Sequence, residues 1–478
     1  MGSGRTSCTV EARRGSGKRA GIGVLPGIRP ATFRLSAPQW RPNCGSELAR
    51  DSARNVASKL APTGPYGFIS DETKASGPRA APCLGQTLRF CFSRMKSPLI
   101  AKHGQPSWRL KHSSVELFVT RTAGMLAPAT FQLPRGRTVS PFAIAPWAGE
   151  KIDAGLPPLL RALRGDFFCA PFGGNGTPWR GERHPPHGES ANAAWTHVAA
   201  THTRDAATLH LQLATKVRPG LIDKRITLRS GHTAIYCEHT LTGFRGPLAV
   251  GTHPCLHLPG PDGHARVSVG GWDHGQVLPV PFGNPAGGGY SSLQPGARFT
   301  SLAAVPLATG GVADLTRYPA RAGYDDLVML LGKPGRTLGW TAVTFPKTGW
   351  VFLQLKNPEI LRHTILWHSH GGRHYAPWNG RHRNVLGLEE TTSYFHFGQA
   401  ESAKPNLLSA AGYPTTVNLS PKKPLRVAHI FAVAAIPRGF DIVADVQALT
   451  DGSGILLTAA NGRTAKLALD VGFLHAGV

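Results

Sequence analysis

Histidines and carboxylates gather at four places in this 478-residue chain, and each place is a candidate for proton transfer or ligand binding. The first is His184-Pro185-Pro186-His187-Gly188-Glu189, with Asn192 and Trp195 just downstream. Two imidazoles and a carboxylate so close together can ligate a metal. They can equally line a polar sugar subsite, with Trp195 as the apolar face on which a pyranose stacks; exposed loop histidines are the plain alternative. The second is Thr252-His253-Pro254-Cys255-Leu256-His257-Leu258, after an apolar run ending in Ala249-Val250. Strand geometry puts His253, Cys255 and His257 on one face and Pro254, Leu256 and Leu258 on the other. A histidine at such a strand end can serve as a general acid near neutral pH. Taken singly, it is more often just hydrogen-bonded.

The third place, Gly323-Tyr324-Asp325-Asp326-Leu327, sets two carboxylates before an apolar strand, where Asp also serves turn chemistry. The fourth is Gly387-Leu388-Glu389-Glu390-Thr391-Thr392. It follows a dense polar and aromatic stretch that runs from Trp367 through His368, His370 and Arg373 to Tyr375. Adjacent strand residues face opposite sides, so only one of Glu389 and Glu390 can enter a given cleft. Leu388 shares its face with Glu390, which leaves Glu389 on the other.

These segments must be held by strands. Val115, Leu117 and Val119 alternate with Glu116, Phe118 and Thr120, and Gly124 marks a turn. Leu209, Leu211 and Leu213 alternate with His210 and Gln212. Ile226 and Leu228 lead through Ser230-Gly231 into a return run from Ala234 to Leu241. Further strand-like runs are Leu327 to Leu331, Trp350 to Leu355 and Ile365 to Trp367. Asn461-Gly462 between two apolar runs is a hairpin signal. Period-2 patterning between Gly- and Pro-rich turns predicts an all-β chain, a large antiparallel β-sandwich. Leu156 to Leu163 is the best short helical candidate.

Four short motifs occur here in the order found in the aldose 1-epimerase family: His187-Gly188 with a downstream Trp, Thr252-His253-Pro254 with Leu258, Gly323-Tyr324-Asp325, and Leu388-Glu389. Over roughly residues 107–397 the chain thus resembles a divergent member of the galactose mutarotase-like superfamily. The resemblance implies a galactose-mutarotase-like supersandwich and a sugar isomerase that interconverts α and β anomers by acid/base ring opening without a cofactor. It implies Glu389 as base, His253 as acid and His187 as an assistant, with Asp325 holding sugar hydroxyls. Trp195, Trp367, Arg180 and Arg373 are the further expected sugar contacts. The family's usual Asn-Arg pair before its first histidine is missing from Phe168-Cys169-Ala170-Pro171-Phe172-Gly173, with Arg180 or Arg183 as the nearest substitutes. Two other functions stay open. One is a non-catalytic carbohydrate-binding module on the same fold, which would keep aromatics such as Trp179, Trp195, Trp367 and Trp378. The other is a different enzyme on a related sandwich, a polysaccharide lyase, glycosidase or metal-dependent isomerase, whose metal version would use His184, His187, Glu189 and a later histidine.

Composition sets the remaining bounds. The formal charge of +26 suggests an anionic partner. Yet residues 1–94 carry roughly three basic side chains per acidic one, and no zinc-finger spacing or RNP-like strand occurs. Nucleic acid is therefore not the expected partner, and the resemblance implies a monosaccharide or sugar derivative instead. That basic Gly/Ser/Arg/Pro-rich segment reads as a disordered tail, a transit-type peptide or an extension upstream of a start at Met95. The sandwich is expected over residues 95–478. Apolar runs such as Ile430 to Ile436 are far shorter than the ~20 residues that span a bilayer, so no membrane partner is expected. Seven cysteines without a CxxC motif suggest free thiols in a reducing compartment, the cytoplasm.

Overall fold

Alternating strands with one apolar face must bury that face against another layer, and here two large antiparallel sheets do so. The computed structural model describes residues 97–476; the expectations for residues 1–94 lie outside the described residues. One sheet has nine strands, with Leu425–Ala435 at its middle between Trp350–Lys356 and Ala234–Thr242. The other has eight, centred on Asp325–Gly332, His363–Ser369 and Val385–Thr392. The short strands Val250–Thr252 and Cys255–His257 both pair with Val385–Thr392, and Phe168–Cys169 pairs with Val250–Thr252. The all-β expectation holds.

The patterns read from sequence map onto this plan. Leu209, Leu211, Ile226 and Leu228 fill the space between the sheets together with Leu366, Leu386 and Leu388. Each wholly buried leucine contributes about 2 kcal/mol by leaving water. The 230–231 turn closes a hairpin between Gly220–Arg229 and Ala234–Thr242. Asn461-Gly462 closes another between Gly454–Ala459 and Thr464–Ala468. That hairpin belongs to a three-stranded C-terminal sheet whose Val446, Ile455 and Leu457 pack on Ala342, Leu353 and Ile430. The central strands of the nine-stranded sheet are thus buried on both faces, which explains the near-continuous apolar run through Ile430. The helical candidate is a five-residue helix, Pro158–Ala162.

The eight-stranded sheet has two different faces. Leu386, Leu388 and Leu366 face the other sheet, while Val385, Ile365, Trp367 and Leu327 face outward beneath a cover of loops and the short helix. The candidate site lies on this outer, loop-covered face. No helix among the described residues is long and apolar enough to cross a membrane.

Candidate active site

A cavity of about 100 Å³ opens on the covered face, lined by Phe167, His187, His253, Trp367, Arg373, Glu389 and His396 among others. Residue parity places Glu389 there. In Val385–Thr392, Leu388 pairs with Leu366 and Glu389 with Ile365, so Glu389 shares the outward face of Ile365 and Trp367. Glu390 points between the sheets. There it ion-pairs with Lys356 and accepts hydrogen bonds from Thr341 at 2.5 Å and Thr364 at 2.7 Å. Its oxygens are taken by partners in the core.

His253 follows Val250–Thr252 where pairing with Val385–Thr392 is interrupted. The strand breaks at His253-Pro254, yet the expected sidedness survives: Cys255 packs on the outer face, Leu256 and Leu258 on the inner. Phe167 stacks on the His253 ring, with centroids 4.5 Å apart. The His253 backbone N–H donates to Oδ1 of the buried Asp166 at 3.0 Å. Its Nε2 lies 3.3 Å from Glu389 Oε1. His187 arrives from the proline-stiffened loop with φ at +57° and meets His253 edge to face at 5.0 Å. The adjoining Gly188 must be glycine, because a Cβ there would sit 2.2 Å from the Ala170 carbonyl oxygen.

Burial sets the protonation of these groups. It pushes Glu389 up to about 8, moderated by the Arg373 charge. It drives His253 down to about 4, and His187 well below the usual imidazole range with help from neighbouring imidazoles. His396, buried beside Arg373, falls to about 4. At neutral pH the contacting Glu389–His253 pair therefore holds one proton, resting mainly on the carboxyl, and the imidazoles are neutral. Glu389 Oε2, Trp367 Nε1 and His396 Nδ1 are buried without a partner, all on residues lining the cavity. Such orphaned groups are what a hydroxylated ligand would satisfy.

Other expected contacts fall differently. Asp325 does not line the cavity. Its carboxylate accepts from Ser369 Oγ at 2.9 Å and from the backbone N–H groups of His370 and Gly372, and it pairs with Arg373 at 3.4 Å. With its oxygens engaged by the chain, Asp325 holds Arg373 rather than a ligand. Arg373 lies over the rings of Phe282, Trp367 and Trp378 at 4.5 to 5.0 Å, and all four residues line the cavity. Trp195 corrects the stacking expectation. It is buried in the inter-sheet core, donates from Nε1 to the Ser190 carbonyl at 3.0 Å and has Lys224 over its ring. Arg180 is exposed against Trp179 and is not among the cavity residues, so Arg373 is the arginine at the cavity. The supposed metal set disperses: His184 bonds Glu182 at 2.9 Å, and Glu189 accepts from the Lys216 and Val217 backbones. Among the described residues no three His, Cys, Asp or Glu side chains converge as metal ligands.

His396 and Phe167 escaped the sequence reading. The run Tyr394-Phe395-His396-Phe397, directly after the Glu389 strand, was the available signal. Phe167 had none beyond its hydrophobicity.

No protein-family model matches the chain, and no curated protein matches its sequence. Solved structures do resemble it. A galactose mutarotase-like protein from Clostridium acetobutylicum is 14% identical, with a TM-score of 0.48, over 71% of this chain and 98% of that one. A galactose mutarotase related enzyme from Lactobacillus acidophilus is 11% identical, with a TM-score of 0.45, over 70% and 99%. An aldose epimerase homologue from C. elegans is 14% identical, with a TM-score of 0.44, over 70% and 100%. The chain is thus similar in structure to aldose 1-epimerase and galactose mutarotase-like proteins at low sequence identity.

Proposed function

We propose that the cavity catalyses interconversion of the α and β anomers of an aldose, as an aldose 1-epimerase-like isomerase. The observation that carries this reading is the carboxyl of Glu389 set 3.3 Å from the imidazole of His253 inside an aromatic-lined cavity with an arginine. Opening a cyclic hemiacetal needs one group to take the C1 hydroxyl proton and another to give a proton to the ring oxygen as the C1–O bond breaks. The balance is one proton in and one out, so the chemistry requires no redox partner or group carrier. Glu389 takes the hydroxyl proton while the His253 side supplies the other. Rotation about C1–C2 and reclosure in the reverse sense give the second anomer. Before sugar binds the shared proton sits mainly on Glu389, and ring opening proceeds from the charge-separated form in which Glu389 is a carboxylate and His253 an imidazolium. Ligand hydroxyls and Arg373 favour that charge-separated form by stabilising the carboxylate. Trp367 and Trp378 supply apolar faces for the ring.

NMR saturation transfer on a panel of free aldoses tests the reading. At least one sugar should exchange anomers faster than in buffer alone. Glu389→Gln and His253→Ala should each lower that rate by about 10²- to 10⁴-fold. Sugar binding without acceleration on any aldose would favour the carbohydrate-binding alternative.

A further inference from the structure

Each of the two cavity imidazoles has a buried thiol at its inner nitrogen. Cys169 Sγ lies 3.4 Å from His187 Nδ1, and Cys255 Sγ lies 3.5 Å from His253 Nδ1. The two cysteines come from different strands, Phe168–Cys169 and Cys255–His257. Both side chains are almost wholly buried, at 0% and 1% exposure, and neither lines the cavity. Their nearest polar contacts at the cavity are the two histidines.

We propose that Cys169 and Cys255 are positioning residues that fix His187 and His253 as Nε2–H tautomers, with both ring N–H groups presented on the cavity side. Burial, with the nearby Asp166 charge, keeps both thiols protonated, so each sulfur has an S–H to donate. A nitrogen that accepts a hydrogen bond carries no proton, and in a neutral imidazole the proton is then on the other nitrogen. At His187 the Gly173 backbone N–H, 3.4 Å from the same Nδ1, enforces the same outcome, because an amide N–H can only donate. At His253 the thiol acts alone on that nitrogen. Each thiol also has a carbonyl oxygen two residues earlier as a rival acceptor, Phe167 at 3.7 Å and His253 at 3.8 Å, both farther than the imidazole. The device follows from alternation: a residue two positions from His253 on a strand edge returns to the same side, where a small side chain with one weak donor fits against the ring.

The tautomers can be read without any catalytic assay, so this inference and the epimerase reading fail separately. Two-bond proton–nitrogen correlation spectra of ¹⁵N-histidine-labelled protein at pH 7, assigned with His187→Gln and His253→Gln, should show Nδ1 bare and Nε2 protonated in both rings. Cys255→Ala should turn His253 into a mixture of tautomers, while Cys255→Ser, which keeps a donor, should restore it. Cys169→Ala should move His187 less, since the Gly173 N–H remains. If anomer exchange is measurable, Cys255→Ala should lower kcat about tenfold with little change in KM, and Cys255→Ser should recover most of it. An Nδ1–H proton on either ring of the unsubstituted protein overturns the proposal, whether or not the variants fold. So does an unchanged His253 tautomer in Cys255→Ala.

Discussion

The behaviour of Glu389 follows from where its carboxyl is held. A carboxyl at about 8 and an imidazole at about 4 give a pair that carries one proton between those limits. Above about 8 the pair has no proton to deliver; below about 4 it has no vacant site to accept one. Anomer exchange should therefore be flat with pH through neutrality and fall tenfold per unit above about 8, whichever partner holds the proton microscopically. A rate that kept rising to pH 10 would show that a fully deprotonated pair works and would sink the shared-proton mechanism. Asp325 acts at the same scale. Its Asn variant keeps acceptors for the Ser369 and backbone donors but loses the charge that steadies Arg373. We expect Asp325→Asn to raise KM for a sugar about tenfold with a smaller loss of kcat, as measured by initial rates. Equal losses in kcat alone would place Asp325 in the chemistry instead.

At the scale of elements, the loop carrying His187 depends on close approach of backbones. Ala170 bridges to Gly188, whose φ is +76°, and the Ala170 carbonyl leaves no room for a Cβ. Gly188→Ala must push the loop off the strand Phe168–Cys169 and carry His187 away from His253. A misplacement of this kind costs about 10²-fold in rate. Circular dichroism and thermal melts should show the sandwich still folded, because the displaced segment lies outside the inter-sheet core. If the variant keeps full activity, His187 is not needed at its observed position. Opposite faces of one strand do opposite work here. Glu389 lines the cavity while Glu390 is held by Lys356, Thr341 and Thr364. Removing either ionic partner would leave a buried charge, costing about 3–5 kcal/mol.

Across the whole molecule, the buried histidines bind its stability to pH. His253, His363, His382 and His396 lie near 3 or 4 through burial, and His187, His239 and His368 lie well below the usual range. Each has a folded value below its unfolded value of 6.5. As pH falls from 6.5 towards 4 the unfolded chain takes up protons that the folded chain refuses, so stability drops. Glu389 works the other way. Its folded value lies above its unfolded 4.5, so its contribution is present at low pH and is lost as pH rises to about 8. We expect the midpoint of thermal unfolding to drop steeply between pH 6.5 and 4. From pH 6.5 to 8 it should decline gently, and Glu389→Gln should abolish that decline. A midpoint flat from pH 4 to 7 would contradict neutral burial of these rings.

Period-2 alternation, the two short-turn hairpins and the opposite facing of Glu389 and Glu390 were all legible in the sequence, because they depend only on strand geometry and on which side chains leave water. The same rule put His253 and Cys255 on one side even though the strand breaks between them. What no local rule reaches is which distant side chains meet. Trp195 and Trp367 are alike as residues. One fills the core and the other walls the cavity, because Trp195 packs between the sheets while Trp367 lies on the outward face of its strand. The same holds for Asp325, whose ligands are chain amides brought back from residues 370 and 372, and for Arg373, which takes the place at the cavity that Arg180 does not. The depth of burial that moves Glu389 to about 8 and His253 to about 4 is likewise a sum over the loops and sheets around them. The candidate residues for proton transfer are written locally; their partners and their proton affinities arise only when the loops close over the sheet.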